Sequence, residues 1–463
     1  MRWEYNHSLI HITNSDKMVK YSIIILITQL LLWGCCRSER SILESFYKAL
    51  DGDEWEHKEN WLSDKPLNEW YGITTDEEGK VVKIQLSDTM MGKVPANLKY
   101  LKKLQYLHLN CMAGGIRLEV NKYPSLKELG LNGYINLLTV ENCPELEKLS
   151  LTSRYFDVSH VDNCPKLSSL ELIGYNISNI IKEELDLNLS SLQNLSELRM
   201  QYLPLNKLHI NNCFNLKRIN ILNCQIEELN LSSCANLEYL KVSGNDSLHT
   251  LDLNNCVKLD SIDVSRNSVT QLNISNCKKL RYLDCFDNKL SELELNNPLL
   301  YALYCYNNEI SKLDVGNFKE LKYLYCDGNN LSELDISKCK KLEQLTCSCN
   351  NLSELNVRHN SRLHFINCGD NNLQSIDLSK NQELEDFRCE DSPLKKLDIS
   401  HCPKLEYINI YGSQITTIDI SHLDKLYYFK AYRSSLKTIW ISKNFEPMDM
   451  WFIEDDVVCK VKK

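Results

Sequence analysis

The apolar positions of the chain fall into one recurring pattern. Leu321-x-x-Leu324-x-Cys326-x-x-Asn329-x-Leu331 is followed by Leu342-x-x-Leu345-x-Cys347-x-x-Asn350-x-Leu352, the same run displaced by 21 residues. The slot held by Cys326 recurs at Leu109, Leu131, Leu151, Leu172, Met200, Ile221, Val242, Val264, Cys285, Cys305, Cys347, Cys368, Cys389, Ile410 and Ala431. Steps between slots are 20–22 residues, except one of 28 between Leu172 and Met200. Within each unit the last two apolar residues alternate with polar ones, the period of a strand with one buried face. One such strand cannot bury that face alone, so the pattern predicts a solenoid whose stacked turns share a continuous core. A second apolar pair (Leu334/Ile336, Leu355/Val357, Ile376/Leu378, Leu397/Ile399, Ile418/Ile420) predicts an extended or 3₁₀ segment on the opposite side. Long helices are not expected, because 21 residues must complete a full circuit. The step of 28 predicts an insertion near 181–194, read as a tolerated surface feature in preference to a contact loop.

A column of Asn245, Asn267, Asn288, Asn308, Asn329, Asn350 and Asn371 falls three residues after the slot. A buried corner leaves backbone groups without partners, and a side-chain amide supplies both donors and an acceptor. Cys224 holds this position one turn earlier, while Tyr134, Arg154, Tyr175 and Leu203 hold it before that. The amino-terminal third is therefore expected to be less regular. Together these residues resemble the leucine-rich repeat, LxxLxLxxNxL, over essentially the whole span from about Ile84 to Ile441. The resemblance implies a β-rich α/β solenoid: a horseshoe or arc with a parallel β-sheet on the concave face, closed by amino- and carboxy-terminal caps.

Outside the repeat, residues 35–83 are expected to form the amino-terminal cap. Ser41–Leu50 has helical spacing, and Trp55, Trp61 and Trp70 follow. This region, with Gly92-Lys-Val-Pro95, is similar to the caps of plant-type and bacterial leucine-rich proteins. Residues 442–463 break the period, and Trp451, Phe452 and Ile453 are expected to close the last turn. Residues 1–34 read as an export signal. Lys20 precedes the apolar run Ile23–Leu32, which is too short to span a bilayer. Leu32-Trp-Gly-Cys35 resembles a bacterial lipobox, which implies lipidation of Cys35. Met18 is the expected start, with Met1 and a long polar leader as the alternative; an uncleaved signal anchor also remains open.

Composition narrows the chemistry. The net charge is −9 and no basic block occurs, so no nucleic-acid partner is expected. Twenty cysteines would ordinarily suggest a disulfide scaffold in an exported chain. Six of them, however, occupy the core slot from Cys285 to Cys389, and eight lie three residues before a repeat's first leucine. In-register neighbours about 4.8 Å apart do not face one another as a disulfide requires, and a ladder does not converge on a metal. Buried free thiols are the expected state, with Cys349 the most reactive. This suits the reducing habitat of the Bacteroidetes whose leucine-rich surface lipoproteins the chain resembles. No phosphate-cradling, zinc-protease or nucleophile-elbow motif is present, so neither catalysis nor a cofactor nor a metal is expected.

The slots flanking the core positions point outward on the strand face. They hold Tyr282, Asp284 and Phe286, then Tyr304 and Tyr306, then Tyr323, Tyr325 and Asp327. Further along come Phe365, then Asp386, Arg388 and Glu390, then Tyr407, Tyr411, Tyr428 and Tyr432. Tyrosine offers large contact area at low entropic cost and a polar tip, and the carboxylates favour a basic partner segment. Cross-strand stabilisation is the competing explanation for such rings. With the internalin-like resemblance, the stripe implies an outer-membrane, surface-exposed lipoprotein that binds a protein or peptide in adhesion. A glycan ligand or a purely structural envelope role are the alternatives.

Overall fold

The computed structural model describes residues 38–153, 160–175, 185–443, 445 and 450–462. Residues 1–37, which hold the export-signal reading and Cys35, lie outside them. Among the described residues, twenty strands make one long sheet. Apart from the first antiparallel pair, Ile73–Thr75 on Val81–Lys93, its strands pair in parallel, with register shifts only among the long early strands Val81–Lys93, Tyr106–Asn121 and Glu128–Glu141. Tyr282–Asp284 sits on Ala302–Tyr304, which sits on Tyr323–Tyr325, then Gln344–Thr346, Phe365–Asn367, Asp386–Arg388, Tyr407–Asn409 and Tyr428–Lys430. The alternation puts Leu283 and Cys285, Leu303 and Cys305, and Leu324 and Cys326 into the core, each 0 % exposed. The expected parallel solenoid is thus the observed one.

The opposite side is extended but paired only in patches. Leu185–Asn188 pairs with Leu205–His209, Glu228–Asn230 with Thr250–Asp252, and Thr417–Asp419 with Thr438–Ile441 and then Val458–Val461. Elsewhere these segments turn through short side-chain caps. The Asp335 carboxylate accepts the Ser337 N–H at 2.9 Å, and Asp314, Asp377, Asp398 and Asp419 repeat the motif on Gly316, Ser379, Ser400 and Ser421. Leu187 and Leu189 occupy regular core positions, both 0 % exposed. Of the insertion expected near 181–194, residues 181–184 lie outside the described set, and Leu192 is buried in the core with Leu187 and Leu189.

Two corner devices divide the molecule. In the early turns the strands continue around the bend: Val81–Lys93, Tyr106–Asn121 and Glu128–Glu141 run 13, 16 and 14 residues. The irregularity expected there takes the form of longer strands. From Tyr202 onward the residue two after the slot is left-handed in twelve consecutive turns, with φ between 48° and 69°. These residues are Tyr202, Asn223, Gly244, Arg266, Asp287, Asn307, Gly328, Cys349, Asp370, Asp391, Gly412 and Arg433. The strand stops there, and the asparagine column holds the corner. The Asn350 amide donates to the carbonyls of Cys326, Cys347 and Ser348 at 3.0–3.1 Å and accepts the Leu331 N–H at 2.9 Å. Asn308, Asn329 and Asn371 do the same one turn apart.

At the amino end, the helix Glu39–Ala49 begins at Ser38, whose hydroxyl caps the Ser41 N–H. Its Phe46 and Tyr47 pack against Trp55 and Trp61, and Trp70 lies 5.0 Å from Trp61 between ring centroids. All three tryptophans are buried, so their role is packing. At the other end, Trp451–Phe452 extends the long sheet beyond Tyr428–Lys430, and Trp451 packs on Phe429 at 5.1 Å. Among the described residues, no helix is long and apolar enough to cross a membrane.

Candidate functional site

The strand face carries three rows of side chains, fixed by the register of the sheet. Every tyrosine and phenylalanine anticipated for this face lies on it. Most are half-buried, and Tyr432 is exposed. They form two clusters. In the first, Tyr282, Tyr304 and Tyr325 meet edge to face or tilted, at 5.5 and 4.9 Å between centroids. Phe286 stacks on Tyr306 at 4.4 Å, and Tyr323 meets Tyr301 at 6.1 Å. In the second, Tyr407 stacks on Tyr428 at 4.0 Å, Tyr428 meets Phe452 at 5.7 Å, and Tyr411 lies 6.5 Å from Tyr432. The polar residues Gln344, Thr346 and Ser348 separate the clusters.

The carboxylates between the rings differ in what they are free to do. Asp327 accepts from the Thr346 hydroxyl, and from the Ser348 N–H and hydroxyl at 2.9 and 2.6 Å, so it is engaged within the fold. Asp386 holds Arg388 through two hydrogen bonds of 2.9 and 2.8 Å. The Arg388 guanidinium lies between two rings, 5.2 Å from Phe365 and 4.4 Å from Tyr407. Asp284 is only 8 % exposed and accepts from the Tyr282 hydroxyl at 3.1 Å. Burial, then the adjacent Asp263 carboxylate, pushes its pKa up to about 6. Glu390 is also pushed up by burial, and its Oε2 is buried without a hydrogen-bond partner.

The thiols are structural. All cysteines among the described residues are free, and all are buried except Cys349 and Cys459. Burial drives the pKa values of Cys285, Cys326 and Cys347 far above the usual thiol range. Cys349, exposed and beside Asp370, is also raised, by burial first and the carboxylate second, which lowers its thiolate fraction. Among the described residues, no three His, Cys, Asp or Glu side chains converge as metal ligands. The column three residues before each unit's first leucine proved to be mixed: Asn297, Asn360 and Asn381 share it with the cysteines and are fully buried. Each donates to two carbonyls of the preceding turn, as Asn297 does to Ile274 and Cys277 at 3.1 and 2.8 Å. The sign in the sequence was positional, since their spacing matches Cys277 and Cys339. A trough of about 540 Å³ opens on the opposite side, lined by Lys312, Asp314, Glu333, Asp335, Glu354 and Asn356. It is polar, shallow and remote from the aromatic clusters.

Comparison with known proteins places this architecture. No protein-family model matches the chain, and no curated protein does. Among solved structures, it is similar to a leucine-rich repeat protein from Bacteroides eggerthii, with a TM-score of 0.60 and 13 % identity over 91 % of this chain and 95 % of that one. The fold is that of a leucine-rich-repeat solenoid. It is also similar to the functional domain of InlJ from Listeria monocytogenes, which includes a cysteine ladder. That match has a TM-score of 0.52 and 22 % identity over 77 % of this chain and 67 % of that one. In the present solenoid Cys285, Cys305 and Cys326 lie beneath the first aromatic cluster, Cys347, Cys368 and Cys389 beneath the turns that separate the clusters, and Ile410 and Ala431 beneath the second.

Proposed function

We propose that the chain is a non-enzymatic binding scaffold that holds a protein or peptide across the aromatic strand face. The observation that carries this reading is the pair of half-exposed ring clusters on one rigid sheet. Strand pairing needs apolar contact between neighbours, but not twelve aromatic side chains gathered in two groups of adjacent turns. Rings already packed against each other lose little entropy when a partner covers them. The proposal extends to location: an exported lipoprotein, anchored through Cys35 in the outer membrane and displayed at the cell surface, acting in adhesion.

The test is capture of extracellular-matrix proteins by the immobilised chain. Changing Tyr304, Tyr325 and Tyr411 together to Ser is expected to abolish capture while the circular dichroism spectrum stays unchanged. Undiminished capture would move the site to another face. Binding on a glycan array without any protein partner would replace the peptide reading by a sugar. Protease treatment of intact cells tests display, because only an outward-facing chain is cleaved.

A further inference from the structure

Building on the strand-face reading, we infer that the first aromatic cluster is a receptor for one cationic side chain, lysine or arginine, of the bound partner. The second cluster shows the same arrangement already filled from within. There a guanidinium, Arg388, sits between Phe365 and Tyr407 and is neutralised by Asp386. The first cluster has the corresponding parts around Asp284. Tyr282 on its own strand and Phe286 just past that strand's end flank it, and Tyr304 and Asp263 lie beside it on the neighbouring strands.

What Asp284 lacks is an ion-pair partner among the described residues. The nearby bases hold other carboxylates: Lys241 pairs with Asp263 at 2.7 Å and offsets the Asp284 charge only through space, and Arg266 lies over the Phe286 ring at 5.4 Å and 3.9 Å from Asp287. The two hydrogen bonds to Asp284, from the Tyr282 hydroxyl at 3.1 Å and the Phe286 N–H at 3.5 Å, are long for a carboxylate. A carboxylate 8 % exposed with so little compensation is costly to keep ionised. Its raised pKa is the expression of that cost. Phe286 is already covered by Tyr306 and Arg266, which leaves the half-buried Tyr282 and Tyr304 rings beside Asp284 as the π systems that would attract a cation. A partner ammonium or guanidinium would therefore gain both the charge and the rings, whereas an acidic segment would be repelled, as it is by the chain's net charge of −9.

Saturation-transfer NMR on the full chain separates charge from shape, using N-acetyl-arginine amide, N-acetyl-lysine amide and the neutral N-acetyl-citrulline amide as probes. The cationic amides are expected to bind at least tenfold more tightly than citrulline amide. Asp284→Asn should abolish that difference, while Asp398→Asn, on the far side, should keep it. Melting temperature supplies a readout that a merely structural role would move the other way: Asp284→Asn should melt no lower than the parent at pH 7.5. Equal binding of arginine and citrulline amides, or cation preference surviving in Asp284→Asn, overturns the inference. So does partner capture that persists in Asp284→Asn but is lost in the tyrosine triple variant, and that result leaves the strand-face reading intact. Undiminished capture by the triple variant overturns both.

Discussion

The early and late turns of this solenoid bury the same leucines but turn their corners differently. Up to Gly174 the chain stays paired as a strand past the slot, and the buried small residues Cys111, Gly133, Ser153 and Gly174, of which Gly133 alone has a positive φ, align in register there. From Tyr202 the same position is left-handed, the strand ends, and amides take over the backbone groups it releases. The changeover coincides with the 28-residue step. A repeat is thus defined by its core spacing, and the corner is a separate choice with its own residue requirements. Early turns need small side chains because neighbouring backbones approach closely. Late turns need hydrogen-bonding side chains because the ladder has been interrupted.

The largest effect should come from removing a late-turn amide. Asn350→Ala would leave the carbonyls of Cys326 and Cys347 and the Leu331 N–H buried without that partner. At about 1–3 kcal/mol for each unsatisfied group, relieved in part by relaxation or water entry, we expect a loss of about 3–5 kcal/mol. In a repeat protein the loss should appear locally. Urea unfolding followed by hydrogen exchange should therefore show the late turns opening ahead of the early ones. An unchanged exchange pattern would mean that the amides are dispensable and that both corner types are held by the core alone.

Glycine substitutions probe the early corner. An added Cβ at Gly133, where φ is 112°, would lie 1.9 Å from the Cys111 carbonyl oxygen, and that backbone cannot move without breaking the register. Gly133→Ala is expected to cost about 2–4 kcal/mol. In the late corner, Gly328 at φ 58° meets only the Asn307 side-chain oxygen at 2.5 Å, which can swing away. Gly328→Ala should cost about 1 kcal/mol, the price of a left-handed non-glycine residue. Equal thermal shifts for the two variants would erase the distinction drawn between the corners.

These devices were unequally legible in the sequence. The core slot and the asparagine column stood out because each keeps one chemical character at a fixed spacing. The left-handed position did not, since Gly, Asn, Asp, Cys, Arg and Tyr all occupy it and share no side-chain property. Gly244, Gly328 and Gly412, with the intervening Asn and Asp, were the available sign. Asn297, Asn360 and Asn381 escaped notice for a related reason: the column changes from thiol to amide, so identity hid what position preserved. On the strand face, alternation told which residues face outward. It did not tell which of them bind each other. Whether Asp386 is free or holds Arg388 depends on rotamers, and periodicity carries no information about those.

Acid should also divide the late turns among themselves, according to the residue that caps the far side. The caps on the far side are neutral at Asn188, Asn230, Asn273 and Asn356 but acidic at Asp252, Asp314, Asp335, Asp377, Asp398 and Asp419. The Ser337 N–H and hydroxyl lower the pKa of Asp335, and the Ser379 and Ser400 hydroxyls and N–H groups lower those of Asp377 and Asp398. Burial alone would raise Asp419, but the Lys462 ammonium and Ser421 outweigh it and hold the group at about 2. A carboxylate depressed in the folded state stabilises above its unfolded value, and that contribution disappears as pH falls through the folded value. The aspartate-capped turns should therefore lose far-side amide protection below about pH 4, the ordinary carboxylate range, while the asparagine-capped turns, Asn356 among them, keep theirs. Simultaneous loss in both would assign acid unfolding to net charge instead of the caps.

The smallest expected effect is a gain. Cys349 holds the left-handed corner position at φ 53° and is exposed, with its thiol 3.7 Å from the Asp370 carboxylate. A Cβ in that region is strained, and neighbouring corners relieve the strain with glycine or with residues that tolerate the conformation. Cys349→Gly should therefore raise stability by a few tenths of a kcal/mol up to about 1 kcal/mol, the relief of strain being partly offset by the greater freedom of glycine in the unfolded chain. Cys349→Val, β-branched at the same angle, should lower it by about 1–2 kcal/mol. The matched pair tests the corner directly, because neither variant touches the core or the asparagine column. If both variants melted with the parent, the left-handed position would be a consequence of the fold without energetic weight, and the contrast between early and late turns would rest on the amides alone.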